Sequence, residues 1–190
     1  HNGIWFVVVA ACSLALGTLI THRKPESNVF YMREGCIATA LSWMIMSVVG
    51  CLPFFLSGEI PSFTDALFET VSGFTTTGST ILSDVEALSY CMLFWRSFTH
   101  WIGGMGVLVF LLAVIQMTSG SNMNLLRAES PGPSVGKLVP RMMHTARILY
   151  VIYMGLTVIL FILLLCGNMS VFESLTTAFS TAGTGGFGIR

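Results

Sequence analysis

Long apolar runs alternate with short polar links along this chain. Residues 3–21, 35–58, 97–126 and 148–172 contain no Asp, Glu, Lys or Arg. About 20 apolar residues carry an α-helix across the hydrocarbon core of a bilayer, so each run is long enough to span. The pattern predicts spanning helices over 3–21, 34–57, 89–118 and 145–167. Breakers separate them: Pro25 in "THRKPESN", the turn "SGEIPS", and Pro131, Gly132 and Pro133 in the polar loop "TSGSNMNLLRAESPGPSVGKLVPR". Pro53 marks a kink near the end of the second helix.

One apolar stretch does not fit this scheme. "FTDALFETVSGF" lies between the second and third spanning helices, and about 13 helical residues reach only some 20 Å, less than a bilayer core. It must enter and leave on the same side, as a re-entrant segment. A shift of 108 residues brings a second copy into register. Ser62 falls on Ser170, Asp65 on Glu173, Leu67 on Leu175, Ser72 on Ser180, Thr76 on Thr184 and Gly78 on Gly186, while Arg33 falls on Arg141. Ser62-x-x-Asp65 and Ser170-x-x-Glu173 both read as helix starts, a cap with an acid three residues on. Each short helix runs into a Thr/Gly tract, "VSGFTTTGST" or "FSTAGTGGFGIR".

The expected architecture is therefore an all-α integral membrane protein built from repeated units of helix, re-entrant pore helix, filter loop and helix, as in potassium channels, and cut within the second unit. Residues 1–24 form a preceding transmembrane helix. Residues 30–120 form the first repeat, with helix 34–57, pore helix 62–74, filter 75–80 and helix 89–118. Residues 119–143 form a cytoplasmic loop. Residues 144–190 form an incomplete second repeat, with helix 145–167, pore helix 170–182 and filter 183–188.

Composition supports lipid as the solvent. The chain is 54% hydrophobic and 9% charged, against about 25% charged in soluble domains. Too little amphipathic sequence remains to surface a large soluble core. A net charge of zero argues against a nucleic-acid partner. The five cysteines are scattered without metal-ligand spacing and read as small buried hydrophobes. Arg23 and Lys24 follow the first apolar run, whereas a signal peptide carries its positive charges before it, so a retained helix is expected. The links holding Arg23, Lys24, Arg33, Arg127, Lys137, Arg141 and Arg147 contain seven of the nine basic residues, which places that side in the cytoplasm. The chain opens on His1 and stops just after the glycines, so it is expected to belong to a longer protein.

The tracts carry the candidate chemistry. Irregular backbone at membrane depth is tolerated only where protein buries it or where it lines a wet cavity. Threonine and glycine there can aim backbone oxygens inward, and a ring of such oxygens replaces the water around a monovalent cation. The negative C-terminal end of each short helix adds to the same preference. Residues 184–188, Thr-Gly-Gly-Phe-Gly, resemble the potassium-channel filter Thr-Val-Gly-Tyr-Gly, whereas 76–80, Thr-Thr-Gly-Ser-Thr, keep only the first Thr and the central Gly. The plainer reading, a glycine-rich loop or a helix-packing motif, is weakened by two tracts at one offset. The candidate ion-binding residues are Thr75, Thr76, Thr77, Gly78, Gly183, Thr184, Gly185 and Gly186, with K+ at Thr76, Thr77, Gly78, Thr184, Gly185 and Gly186.

"FETVSGFTTTGSTIL", "FWRSFTHWIGGMGVLVF" and "FSTAGTGGFGIR" resemble the TrkH/KtrB potassium-uptake family, part of the wider Trk/Ktr/HKT group, along nearly the whole chain. The resemblance implies four such repeats around one pore, each with one filter glycine, of which Gly78 and Gly186 would be two. Plant relatives with Ser at the first filter position prefer sodium, so glycine at both positions leans toward potassium. The first helix looks like the second of an extra pair found in TrkH-type members. In the family the third repeat carries a gating loop, so this stretch alone should not form a complete pore. The resemblance also implies a homodimer in the bacterial inner membrane, contacting lipid and cytoplasmic nucleotide-binding regulatory subunits of TrkA type. Potassium is the transported ion and no cofactor is expected.

Other residues have two readings each. Arg96 either snorkels to the interface or pairs with Glu69 behind the filter as pore support. Asp65 reads as a capping acid; Glu69 holds the filter or concentrates cations at its mouth. Gly103, Gly104 and Gly106 in "HWIGGMG" read as close packing before a moving hinge. His22, His100 and His144 read as interfacial or packing residues. Trp5, Trp43, Trp95 and Trp101 fit interface belts or helix packing. An intramembrane enzyme is disfavoured because HExxH, GxSxG and paired intramembrane aspartates are lacking. The alternative function is a secondary transporter for another cation or an organic solute, which also uses re-entrant hairpins.

Overall fold

A computed structural model describes residues 3–22, 32–106 and 138–188. Those residues form helices and connecting loops, with no strand among them. Helix α1 spans Gly3–Thr21, α2 Met32–Leu56 and α3 Phe63–Phe74. Helix α4 is described over 90–106, and α5 spans Leu138–Cys166 and α6 Val171–Ala182. The basic links at 23–31 and 107–137, and the rest of the expected third spanning helix, lie outside the described residues.

Among the described residues three helices are long and apolar enough to cross a membrane: Gly3–Thr21, Ile37–Leu56 and His144–Cys166. Their outer faces are apolar and exposed; Leu14, Ile20 and Val151 show 70%, 73% and 66% of their surface. An apolar surface of that extent needs lipid rather than water around it. Their hydroxyls turn back onto their own helices: Ser42 donates to the Ala38 carbonyl, Ser47 to Trp43 and Thr157 to Tyr153. This bonding to the preceding turn satisfies a polar group without a partner helix.

Helix α5 begins at Leu138, well before the expected 145. Pro140 falls in its first turn, where the missing N–H has no helical partner to lose. Helix α2 likewise starts at Met32 rather than 34.

The two short helices follow their caps. The Ser62 hydroxyl accepts from the Asp65 N–H, and Ser170 forms a complete capping box with Glu173. With 12 residues each, α3 and α6 are about 18 Å long. Helix α3 packs on α2 and α6 on α5, so each pair is a hairpin. Gly58 and Asn168 adopt positive φ in the two turns. The first turn also anchors α4, because the Glu59 carboxylate accepts from Ser89 N–H at 2.9 Å and its hydroxyl at 2.6 Å. A core of Cys51, Phe54, Ile60, Ala66, Met92 and Leu93 closes that corner.

Helix α4 joins the two hairpins. The Trp95 indole donates to the Gly50 carbonyl of α2, and the Trp101 indole donates to Thr157 of α5. The Tyr153 hydroxyl returns a bond to the Trp101 carbonyl. Trp43 lies edge-on to Phe74 and against Gly106. These three tryptophans therefore pack helices together. The glycines of α4 admit both short helices: a Cβ on Gly103 would strike the Phe74 carbonyl, and one on Gly104 would lie 2.9 Å from the Gly183 Cα. Of the two readings of "HWIGGMG", the contacts match close packing.

Gly103→Val should lower unfolding stability by about 1–3 kcal/mol, the usual range for overpacking. Gly155→Ala, where a Cβ meets nothing within 4 Å, should be neutral or slightly stabilising. Thermal unfolding of the detergent-solubilised full gene product checks both, and equal midpoints would contradict this packing.

Candidate functional site

The C-terminal ends of α3 and α6 finish in the same backbone motif. Thr76 N–H donates to the Gly73 carbonyl and Thr77 N–H to Ser72. In the second copy Thr184 N–H donates to Thr181 and Gly185 N–H to Ser180. This pair of bonds defines a Schellman end, which requires a left-handed residue just past the helix. Threonine occupies that position in both copies, with φ of 54° at Thr76 and 57° at Thr184. A β-branched residue there is strained by roughly 1–3 kcal/mol, and such outliers concentrate at functional sites. Two residues further on, Gly78 and Gly186 have φ of 75° and 77°, which glycine adopts without a steric penalty. The tracts thus share one path although their sequences agree at only two positions, Thr76/Thr184 and Gly78/Gly186, over 75–80 and 183–188.

The two tracts touch. A Cβ on Gly78 would fall on the Gly185 carbonyl oxygen, so no side chain fits there. Thr76, Gly183 and Thr184 line one open cavity of about 330 Å³, together with Leu149, Ile152, Tyr153 and Leu156 of α5. Thr75 and Thr77 are exposed, and their hydroxyls bond each other at 2.8 Å. Along the second tract, Gly183, Gly185 and Phe187 are buried while Thr184, Gly186 and Gly188 are exposed. One face rests on protein and the other is open.

Glu69 and Arg96 lie behind the tracts. Glu69 is 1% exposed and accepts the Arg96 Nε–H at 2.5 Å. It also accepts the Thr80 hydroxyl at 2.9 Å and the Ile81 N–H at 3.1 Å, which tethers the end of the first tract. Arg96 reaches the second tract with its other arm, donating from Nη1 to the Gly188 carbonyl at 2.8 Å. Its guanidinium lies 3.6 Å from the centre of the Phe187 ring. Arg96 is 3% exposed, so the structure realises pairing with Glu69 rather than snorkelling. Asp65 stands in the first turn of α3, at the cap.

Several residues that frame the tracts were not singled out as site residues from sequence. The Ser72 hydroxyl donates to the Ser79 carbonyl at 2.6 Å, and Thr99 lies against Gly73. His100 and Phe187 meet with ring centres 4.0 Å apart. A signal for His100 was available, since Arg96, His100 and Gly104 recur every four residues and share one helix face.

The sequence pattern that defines the TrkH family, described as cation transport protein, matches residues 4–189. The Trk system potassium uptake protein TrkH of Halomonas elongata is 36% identical over 191 residues, covering 98% of this chain and 40% of that protein. The protein of the same name in Escherichia coli K12 is 39% identical over 180 residues, covering 92% of this chain and 37% of its own length. The crystal structure of the potassium transporter TrkH from Vibrio parahaemolyticus matches with a TM-score of 0.81 at 30% identity, over 100% of this chain and 38% of that one. The chain spans about two fifths of the length of these proteins.

Removing one partner of a buried ion pair leaves an uncompensated charge. Glu69→Gln and Arg96→Gln should each lower unfolding stability by about 3–5 kcal/mol. The double variant should fall short of their sum by roughly 1–3 kcal/mol. Denaturation of the purified full gene product checks this, and additive losses would contradict the pairing.

Proposed function

The chain belongs to the TrkH family of cation transport proteins, and from that membership we propose that it supplies two filter segments of a potassium-uptake pore. Helices α3 and α6 act as re-entrant pore helices. Each aims its negative C-terminal end at the ion path, as the helix dipole favours. The backbone oxygens of Thr76, Thr77, Gly78, Thr184, Gly185 and Gly186 replace the water around K+ as it passes. Thr75 and Gly183 cap the two helices, and the left-handed Thr76 and Thr184 that follow them turn the tracts inward. Glu69 and Arg96 support the tracts from behind.

The observation that carries this reading is the repeated conformation. Two helix ends at one offset share Schellman geometry, strained threonines at φ 54° and 57°, and glycines at φ 75° and 77°. Their mutual contact through Gly78 and Gly185 supports a single ion path between them. A helix-packing motif accounts for the glycines of α4 but not for strained threonines with open faces.

The remaining repeats would complete the ring of oxygens in the full gene product, in the bacterial inner membrane. Potassium enters down its electrochemical gradient. Glycine at both filter positions supports potassium over sodium. A homodimer, with TrkA-type nucleotide-binding subunits on the cytoplasmic face, completes the assembly.

Cells lacking potassium uptake should take up isotopic rubidium when they express the full gene product. Gly78→Asp should abolish that uptake, because any side chain there meets the Gly185 carbonyl. Gly186→Asp should abolish it too, through a left-handed φ and a carboxylate on an open face. Uptake of an organic solute instead of rubidium would favour the secondary-transporter reading. Rubidium uptake unchanged by both substitutions would contradict the filter.

A further inference from the structure

Helix α4 presents one stripe, Arg96, His100 and Gly104, to the second tract. His100 occupies the middle of it and is fully buried, with 0% of its surface exposed. Its ring fills the space a side chain on Gly185 would take, since a Cβ there would overlap ring atoms Cδ2 and Nε2. The same ring meets Phe187 edge to face at 4.0 Å and 85°. The His100 carbonyl lies against Gly183. One residue thus touches all three buried positions of the tract: Gly183, Gly185 and Phe187.

Packing alone does not account for an imidazole at this position. Among the described residues neither ring nitrogen has a hydrogen-bond partner of good geometry. The Arg96 carbonyl one turn back is within weak reach, but it already accepts the Thr99 hydroxyl at 2.7 Å. A buried polar ring left in this state is destabilising, so stability alone favours an apolar side chain. The imidazole is smaller than a phenyl ring, and its atoms already occupy all the space beside Gly185.

We propose that His100 is the positioning residue of the second tract, fixing how far residues 183–187 stand from helix α4 and hence the spacing of the oxygens offered to the ion. It acts through the backbone of Gly183 and Gly185 and the ring of Phe187, and does not touch the ion. This inference rests on the filter reading above.

The test is ion discrimination, which a merely structural role does not move. Rubidium uptake by the full gene product is measured against competing sodium, normalised to transporter in the membrane, for wild type, His100→Ala and His100→Gln. His100→Ala should reduce the rubidium-over-sodium preference about tenfold, equivalent to ~1.4 kcal/mol. His100→Gln, which fills a volume similar to the imidazole, should retain most of it. A wild-type preference in His100→Ala overturns the proposal, as does loss of His100→Gln from the membrane, which would show that the ring serves folding. Failure of wild type itself to take up rubidium overturns the filter reading, and this inference with it.

Discussion

The structure turns on one buried charge pair. Arg96 stands in the second turn of α4 and is 3% exposed, and an arginine buried away from water is costly unless it is paired. Arg96 is held there because Glu69 neutralises it, and because the Gly188 carbonyl and the Phe187 face take up the rest of its guanidinium. Glu69 in turn spends its remaining oxygen capacity on Thr80 and Ile81. The pair therefore joins the ends of two tracts that lie more than a hundred residues apart in sequence. Desolvated pairs of this kind add little net stability, but they define geometry, because every alternative arrangement leaves a charge exposed to a low dielectric.

That constraint makes the strained backbone intelligible. Thr76 and Thr184 sit in a region that threonine avoids, and strain of this kind persists only where the surroundings over-determine it. The surroundings here are helix α4. Thr99 and Gly103 press against the end of α3, while His100 and Gly104 press against the end of α6. Adjacent stripes of one helix thus serve the two repeats. Among the described residues many polar side chains are buried, and Glu69, Ser72, Arg96, Thr99, His100 and Ser180 lie around the tracts. Lipid faces the apolar exterior, and the polar groups gather inside.

Much of this was legible in the sequence. Uncharged runs located the apolar helices α1, α2 and α5, and Ser62 and Ser170 located the starts of the short ones. Local chemistry governs both features, so local sequence reports them. Helix α5 begins at Leu138 rather than 145, since Pro140 is tolerated in a first turn. The left-handed threonines were invisible, since propensity assigns that conformation to glycine and only tertiary packing overrides it. The partner of Arg96 stayed open for a related reason. Choosing between lipid headgroups and Glu69 requires the distance between two helices, which no local pattern encodes. His100 was read as ordinary packing because its ligand-like chemistry has no neighbour in sequence; what it touches is backbone.

In the proposed filter, oxygens of Thr76–Gly78 and Thr184–Gly186 converge on one ion path. A crystal structure of the full gene product grown in rubidium, read by anomalous scattering, tests it most directly. The account predicts an anomalous peak between the two tracts, in inner-sphere contact with backbone oxygens of both. Rubidium bound elsewhere, with both tracts facing lipid or protein alone, would contradict it.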